Sequence, residues 1–129
     1  MKEPGWVLGS VIDAVHTMLL AEHGGGTGTR DKALLGSAVA RAQQKVSYEP
    51  DTSIFLFAAA YSYGIAKNHP FVDGNKRTAF TVGTLFLELN GYMLNAPEAN
   101  AALIFEQLAA GQLDELELAR WFELHSSNL

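Results

Sequence analysis

The sequence predicts an all-α fold, a compact bundle of about six helices with at most one very short strand or hairpin. In most segments, apolar residues recur at the three- and four-residue spacing of amphipathic helices. Sustained two-residue alternation bounded by turns, which is typical of half-buried strands, is nearly absent. With 129 residues, 48% of them hydrophobic, the chain fits a single domain over residues 1–129 with one core.

Three helices are predicted in the first half of the chain. The first begins at Ser10 as its N-cap and ends at the glycines Gly24–Gly26. Asp31 caps a second helix, and Asp51 or Thr52 caps a third. The third helix, IFLFAAAYSYGIAKNH, is apolar on nearly every side, so we expect it at the buried centre of the bundle.

A fourth helix is predicted over about Asn75–Leu89. Asn90 and Gly91 follow it and supply a C-terminal stop. The next three residues, Tyr92–Leu94, form the only plausible strand of the chain. The fourth helix is therefore predicted with both of its ends defined.

Two further helices are predicted towards the end of the sequence. The fifth begins at Asn95–Pro97 and stops at Gly111, where glycine favours a helix end. The sixth begins at Asp114 as its cap and contains Trp121 and Phe122. These two aromatic residues are expected to pack in the core.

Composition and charge exclude several classes of function. The chain contains no cysteine, which excludes disulfides, thiolate metal sites and thiol nucleophiles and suits a reducing cytoplasm. No cleavage pattern opens the sequence, and its apolar runs stop well short of the ~20 residues that span a bilayer. The net charge is -5 and no long Lys/Arg run is present, which argues against nucleic acid as a partner. We therefore expect a cytoplasmic protein without a membrane or nucleic-acid partner.

Polar side chains are concentrated in the stretch NHPFVDGNKRTAF, between the third and fourth predicted helices. The first amides of a helix lack intrahelical partners and lie at the positive end of its dipole, so they form a ready site for anions such as phosphate. Gly74 has no Cβ, which allows the backbone to approach a diphosphate closely. Asn75 can cap the helix or donate its amide to a phosphate oxygen.

Charged residues beside this helix start fit the same chemistry. Arg77 offers a planar fork for bidentate contact with phosphate, and Lys76 offers a compact positive charge. Asp73 is a hard oxygen ligand, suited to holding Mg²⁺ next to phosphates. His69 is suited to accept a proton from an attacking hydroxyl at neutral pH. Together these residues predict a site for group transfer from a nucleotide.

Each of these residues also has an ordinary structural interpretation. A histidine before proline is usually a loop residue, Asp-Gly is a common turn, and a Lys-Arg pair is commonly solvated. Their joint occurrence between two apolar helices favours the functional interpretation. His16 and His23, seven residues apart on the first helix, are a weaker alternative as a metal pair, because no third ligand has a recognisable spacing.

The segment HPFVDGNKR resembles the signature of the Fic/Doc (Fido) family, HxFx(D/E/N)(A/G)N(K/G)R, and matches every defined position. The stretches GTGTRDKALLGSAVARAQ and LNGY look like the Doc (death on curing) branch of that family. The resemblance covers most of the chain. It implies the Fido fold, a compact all-α bundle, in agreement with the helical pattern.

The resemblance also implies a role for each residue of the motif. His69 would be the general base that activates a hydroxyl of a target protein, and Asp73 would hold Mg²⁺. The phosphates of the co-substrate ATP would be bound by four residues: the backbone of Gly74 with Asn75, Lys76 and Arg77.

Two positions depart from the pattern HxFx(D/E)GNGRxxR of the Fic enzymes that transfer AMP. Lys76 replaces the second glycine of that pattern, and Phe80 stands in the place of the final arginine. The resemblance to the Doc branch implies a different reaction, transfer of the γ-phosphoryl group of ATP to a threonine of elongation factor Tu, which arrests translation. AMP transfer to a protein hydroxyl and a catalytically silent binding domain remain the alternatives.

The resemblance further implies a protein partner. The autoinhibitory motif of the family, (S/T)xxxE(G/N), is not matched, because Thr84 and Glu88 have its spacing but Leu89 follows them. Restraint is therefore expected from an antitoxin whose disordered tail folds into a groove of this domain, as in a toxin-antitoxin system.

Overall fold

Helices dominate the computed structural model, which describes residues 4–26, 28, 32–48 and 53–129. Within these residues the only strands are two short ones that form one antiparallel sheet. The elements in chain order are α1 Gly9–His23, α2 Lys32–Tyr48, α3 Ile54–Asn68, α4 Asn75–Leu89, β1 Tyr92–Leu94, α5 Glu98–Ala109, α6 Glu115–Leu124 and β2 Ser126–Asn128. The predicted all-α bundle of six helices is confirmed.

Helix α3 lies at the centre of the bundle, as its apolar sequence predicts. It packs most extensively against α4, α2 and α6. Its side chains are buried around nearly the whole circumference, including Phe57, Tyr61 and Ile65 at 0% exposure. The aromatic residues Phe86 of α4 and Phe122 of α6 complete this core, and Trp121 is also buried as predicted. The centre of the fold is therefore a rigid platform from which the α3–α4 connection emerges.

Small residues allow the helices to approach α3 closely. A Cβ at Gly64 would lie 3.1 Å from the Cβ of Ala38 on α2. At Gly83 on α4, an added Cβ would overlap Ser62 Oγ and lie 2.8 Å from Phe122 Cζ. Ser62 is itself held in place, because its hydroxyl donates to the carbonyl of Ala79 at 2.6 Å. No neighbour at the Gly83 contact can move aside without losing an interaction.

We expect Gly83→Ala to lower the free energy of unfolding by about 1–3 kcal/mol, the usual cost of overpacking a filled core. Gly36→Ala is the matched control, because Gly36 lies within α2 with nothing within 4 Å of the added Cβ. There the helix propensity of alanine should instead stabilise the protein by about 0.5–1 kcal/mol. Urea unfolding of both variants checks the opposite signs, and a Gly83→Ala protein as stable as the parent would contradict this packing.

The N-cap residues of two helices differ from the predicted ones. Helix α1 begins at Gly9 after Leu8, so Ser10 lies inside the first turn and is not the N-cap. Helix α3 is capped by Ser53, whose side chain accepts from the Leu56 amide, and not by Asp51 or Thr52. Ser53 has the same capping chemistry and is the residue directly before the first apolar position.

Most other predicted helix ends agree with the structure, and one predicted cap lies outside the described residues. Asp31, the predicted cap of α2, belongs to the part that the structure does not describe. Asp114 caps α6 as predicted, in a capping box with Glu117. Helix α4 has the predicted bounds, and its C-cap is Asn90. The predicted stop of α5 at Gly111 follows the helix end at Ala109 by two residues.

The short sheet pairs the predicted strand β1 with a second strand that the sequence did not reveal. Tyr92 pairs with Asn128 and Leu94 with Ser126. The sequence of β2, Ser-Ser-Asn, lacks the β-branched and apolar residues that mark strands, so its pairing depends on α5 and α6 bringing it back to β1. The sheet follows the C-terminal end of α4, about 22 Å along that helix from its first residue.

Tyr61 fastens the segment before α1 to the core. Its hydroxyl donates to the carbonyl of Val7 at 3.0 Å and accepts from the Val7 amide at 3.1 Å. Burial raises the pKa of Tyr61 to about 12, and the hydrogen bond from the Val7 backbone opposes this rise. The phenol is therefore neutral near physiological pH and serves as a buried hydrogen-bonding anchor.

No helix in the described residues is long and apolar enough to cross a membrane.

Candidate active site

The α3–α4 connection, residues 69–74 with the sequence HPFVDG, is called the motif loop below. Its first residue, His69, closes α3 by donating its amide to the Ile65 carbonyl at 3.1 Å. His69 has a left-handed backbone, φ 48° and ψ 57°, the only positive φ of a non-glycine residue in the described residues. Such conformations are uncommon and are concentrated at functional positions. The turn places an exposed imidazole directly at the end of the rigid central helix.

Asn75 and Phe71 brace the motif loop from inside. Asn75 Oδ1 accepts from the Phe71 amide, and Asn75 Nδ2 donates to the Phe71 carbonyl, both at 3.0 Å. The Phe71 side chain is 1% exposed and fills the core, as the sequence predicted for an anchor. Asn75 is therefore not the cap of α4, and its carboxamide fixes the curvature of the loop.

The N-terminus of α4 begins at Gly74, which is its N-cap with φ 77°. This left-handed conformation favours glycine because it has no Cβ. Within the described residues no side chain caps this helix end. The amides of Asn75–Arg77 are thus not covered by a capping side chain, and the positive end of the helix dipole lies next to the motif loop.

Asp73 joins the motif loop to the glycine loop, the name used here for the described residues Gly24–Gly26 and Gly28. One carboxylate oxygen of Asp73 accepts from the Gly74 amide at 2.8 Å, and the other accepts from the Gly26 amide at 3.3 Å. The Val72 amide donates to the Gly28 carbonyl at 3.2 Å. The carboxylate is exposed, and each oxygen keeps lone pairs for a further ligand.

His16 of α1 packs against the motif loop. Its side chain is 4% exposed, and its ring stacks on Phe71 with centroids 3.8 Å apart and planes 8° apart. His16 Nε2 lies 2.7 Å from the carbonyl oxygen of Asp73, an acceptor, so this nitrogen carries the proton. The Cβ position of Gly74 lies 3.6 Å from the same ring. His16 thus fixes the backbone of Asp73, whose carboxylate faces solvent.

The alternative metal pair of His16 and His23 gains no support. His16 is occupied with the motif loop, whereas the exposed His23 lies 3.7 Å from Glu22 at the end of α1. In the residues that the structure describes, no group of three His, Cys, Asp or Glu side chains could hold a metal ion. The contact between His16 and Asp73 could not be read from the sequence, because they are 57 positions apart.

Two exposed cations flank the start of α4. Lys76 Nζ lies 3.3 Å from Glu106 Oε2 of α5, and the two side chains are 47% and 72% exposed. Such exposed pairs contribute about 0–1 kcal/mol, so a bound phosphate can replace Glu106 as the partner of Lys76. Arg77 is likewise exposed. Phe80 packs against Phe105 of α5 with centroids 5.2 Å apart and therefore fills space in the core.

A cleft of about 510 Å³ borders the motif loop on the side of α1. This volume lies in the range of small-molecule sites. None of the six predicted site residues is among its described walls, which come from α1 and the glycine loop: Asp13, His16, Thr17, Leu20, Ala21, Gly25 and Gly28. Through His16 and Gly25 the cleft adjoins the backbone and carboxylate of Asp73.

The donor set at Asp73 fits one kind of metal ion. An exposed carboxylate that belongs to no group of three His, Cys, Asp or Glu ligands among the described residues does not make a tight site for a structural or transition metal. Mg²⁺ commonly binds one or two carboxylates and takes its remaining ligands from water and substrate phosphates. Asp73, next to an uncapped helix start that suits phosphates, meets that requirement.

Comparisons with known proteins agree with this architecture. A model described as the Fic/DOC family matches residues 8–87, which include α1 to α3, the whole motif loop and all of α4 except its last two residues. A protein named "Protein kinase doc" from Escherichia phage P1 is 36% identical over 86 residues, which are 66% of this chain and 68% of that protein. A protein named "Toxin Doc" from Mycolicibacterium smegmatis (strain ATCC 700084 / mc(2)155) is 47% identical over 75 residues, 57% of each chain. The chain therefore belongs to the Fic/DOC family, in its Doc branch.

Proposed function

We propose that this protein is a Doc-like toxin that transfers the γ-phosphoryl group of ATP to a hydroxyl of a target protein. The target residue in this proposal is a threonine of elongation factor Tu, whose modification blocks translation. The observation that carries the proposal is the uncapped start of α4, placed directly after a loop that begins with an exposed histidine and contains an exposed carboxylate. The names of the two relatives, a kinase and a toxin, support it.

The start of α4 binds the phosphates in this proposal. The amides of Asn75–Arg77 lie at the positive end of α4, and Gly74 leaves room for a phosphate to approach the backbone. Arg77 donates two hydrogen bonds to one phosphate. Lys76 leaves its ion pair with Glu106 and binds a second phosphate. Asn75 contributes through its backbone, since its carboxamide is bonded to Phe71.

Asp73 holds the metal ion in this proposal. When bound, Mg²⁺ neutralises charge on the phosphate oxygens of the nucleotide. The protein supplies the position of the carboxylate: the Gly74 and Gly26 amides fix its two oxygens, and His16 fixes its backbone carbonyl. An oriented carboxylate of this kind loses little entropy when it binds a ligand.

His69 acts as the general base. It accepts the proton of the target hydroxyl as the oxygen attacks the γ-phosphorus in line with the departing ADP. The O–P bond to the target forms, the bond to the β-phosphate oxygen breaks, and His69 ends the step with the proton. The backbone of His69 is attached to the end of α3 through its amide, and its left-handed conformation sets where the side chain leaves the helix.

Two side chains favour phosphoryl transfer over the alternative, AMP transfer. Lys76 places a long side chain where the AMP-transferring pattern has glycine, which hinders close approach of the α- and β-phosphates to the backbone. Phe80 packs against Phe105 and offers no phosphate anchor where that pattern has arginine. The remaining alternative, a silent binding domain, leaves the exposed His69 and Asp73 without a chemical role.

Mass spectrometry of the target distinguishes the three functions. The purified protein is incubated with elongation factor Tu, ATP and Mg²⁺, and the intact mass of the factor is measured. We expect the mass increase of one phosphoryl group on a threonine. The larger increase of an adenylyl group would support the alternative transferase, and no increase would support a binding domain.

We expect the hydrogen bond from His16 to Asp73 to affect the Mg²⁺ concentration that transfer requires. His16→Leu removes the hydrogen bond to the Asp73 carbonyl and should raise the Mg²⁺ concentration for half-maximal transfer about tenfold. His16→Gln keeps an amide donor and should restore part of this loss. Met18→Ala, an exposed position of the same helix, is the control. Titration of Mg²⁺ at saturating ATP checks this, and equal behaviour of the Leu and Gln variants would argue against the hydrogen bond.

An antitoxin with a disordered tail completes the proposal. Helix α1 exposes Val11 and Met18, seven residues apart and thus on one face, which suits contact with an amphipathic segment. We expect the protein alone to arrest growth on expression and the partner to relieve the arrest. A protein that is harmless without any partner would speak against this regulation.

A further inference from the structure

A second pocket, of about 180 Å³, lies between α2 and α3 and takes no part in the mechanism above. Its walls are formed by side chains of both helices: Ser37, Ala40, Arg41 and Gln44 of α2, and Tyr63, Gly64, Lys67 and Asn68 of α3. Asn68 directly precedes His69, so the rim of the pocket adjoins the base proposed for phosphoryl transfer. The absence of a side chain at Gly64 brings the two helices together here, with Ala38 as its neighbour.

The chemistry of this pocket selects negative charge. Arg41 and Lys67 lie over the ring of Tyr63, at 5.1 Å and 5.9 Å from its centroid. Hydroxyl and amide donors of Ser37 and Gln44 face the same space. No acidic residue is among its described walls, although the chain has 14 acidic against 9 basic residues. Two of those few cations are therefore gathered beside the active site.

The two cations differ in how firmly they are held. Arg41 Nε donates to Glu115 Oε1 of α6 at 2.7 Å, and its Nη2 lies 2.5 Å from the same oxygen. This contact fixes the guanidinium and offsets part of its charge. Lys67 forms no ion pair within the described residues, and its ammonium contacts the face of Tyr63. Lys67 is thus the cation with charge left for a ligand.

The size of the pocket indicates what kind of anion fits. A volume of about 180 Å³ is smaller than the roughly 300–1,000 Å³ of sites that enclose whole small molecules such as nucleotides. It suits a single carboxylate-bearing side chain. A protein that presents its hydroxyl to His69 lies against the same end of the bundle and can insert a neighbouring side chain here.

We propose that this pocket binds an acidic side chain of the protein substrate and so positions the substrate hydroxyl at His69. The inference rests on the proposed function, because it requires transfer to a protein. Lys67 supplies the charge, Arg41 is a fixed second donor, and the Tyr63 ring is the floor. The pocket would then determine which protein hydroxyl is modified, whereas the start of α4 binds the nucleotide.

Steady-state kinetics with elongation factor Tu and ATP test this proposal. Lys67→Met should raise KM for the protein substrate about two- to fivefold, the range of one exposed ion pair. Lys67→Glu should raise it about tenfold or more, because like charges then meet. Both variants should leave the Kd for ATP unchanged, and added salt should shrink the differences. Arg120→Glu, an exposed charge reversal on α6, is the control and should leave both constants unchanged.

The outcomes separate this proposal from the function on which it rests. Normal transfer with an unchanged KM in Lys67→Glu, or an equal change in Arg120→Glu, would overturn the pocket alone. A changed Kd for ATP would also overturn it, because the pocket would then serve the nucleotide. If the unaltered protein transfers nothing to elongation factor Tu, the proposed function fails and the pocket proposal falls with it.

Discussion

His69→Ala is expected to lower the rate of phosphoryl transfer to the target protein by about 10²–10⁴-fold, the usual contribution of a general base. The Kd for ATP with Mg²⁺ should change little, because the phosphates are bound at the start of α4. The fold should also persist: His69 is exposed, and alanine keeps the amide that closes α3. Single-turnover transfer and calorimetric ATP binding measure the two quantities separately.

The left-handed backbone of His69 calls for a second variant. Alanine is less favourable than histidine at φ 48°, so part of any effect could come from a shifted loop. Asparagine tolerates this conformation, so His69→Asn removes the imidazole without adding backbone strain. His125→Gln is the control, because His125 lies beside the sheet at the other end of α4. Transfer by His69→Asn at the parental rate would exclude the base.

Asp73→Asn is expected to have the second largest effect on the rate of phosphoryl transfer. Asparagine keeps an oxygen that accepts from the Gly74 amide but removes the negative charge and the second acceptor. We expect transfer at fixed Mg²⁺ to fall at least about 10–100-fold, with part of the activity recovered at higher Mg²⁺. Rates measured across a Mg²⁺ titration check both expectations.

A carboxylate with the same structural task controls for loss of the hydrogen bond. Asp114 also accepts a backbone amide, that of Glu117 at the start of α6. Asp114→Asn should retain full transfer and an unchanged need for Mg²⁺, because asparagine is an equally good cap. If Asp73→Asn and Asp114→Asn behave alike, Asp73 has a structural role and does not hold the metal ion.

Local chemistry explains which parts of the fold were predictable. Helix α4 was predicted with both ends correct, because Asp73-Gly74 before it and Asn90-Gly91 after it are strong turn signals. Strand β2 could not be predicted, since the sequence Ser-Ser-Asn pairs only through its tertiary contact with β1. The N-cap of α3 was assigned one or two residues too early, because several residues with capping side chains stand in succession there.

The candidate site likewise has one part that the sequence predicted and one part that it did not. The motif residues His69–Arg77 are consecutive, so the sequence predicted their common position between two helices. The residues that contact them come from distant segments, and the sequence pattern did not indicate these contacts. His16 bonds the Asp73 carbonyl, Gly26 donates to the Asp73 carboxylate, and Glu106 pairs with Lys76. The same holds for the pocket around Lys67, whose walls are joined only when α2 packs on α3. Periodicity and capping predict elements, whereas such contacts require the packed fold.

Label transfer from ATP tests the central claim most directly. Elongation factor Tu is incubated with the protein, Mg²⁺ and ATP labelled at either the α- or the γ-phosphorus, with His69→Ala in parallel. The proposed mechanism predicts label on the factor from γ-labelled ATP alone, and label accumulating at least about a hundredfold more slowly with the variant. Label from α-labelled ATP, or undiminished γ-label with His69→Ala, would contradict it.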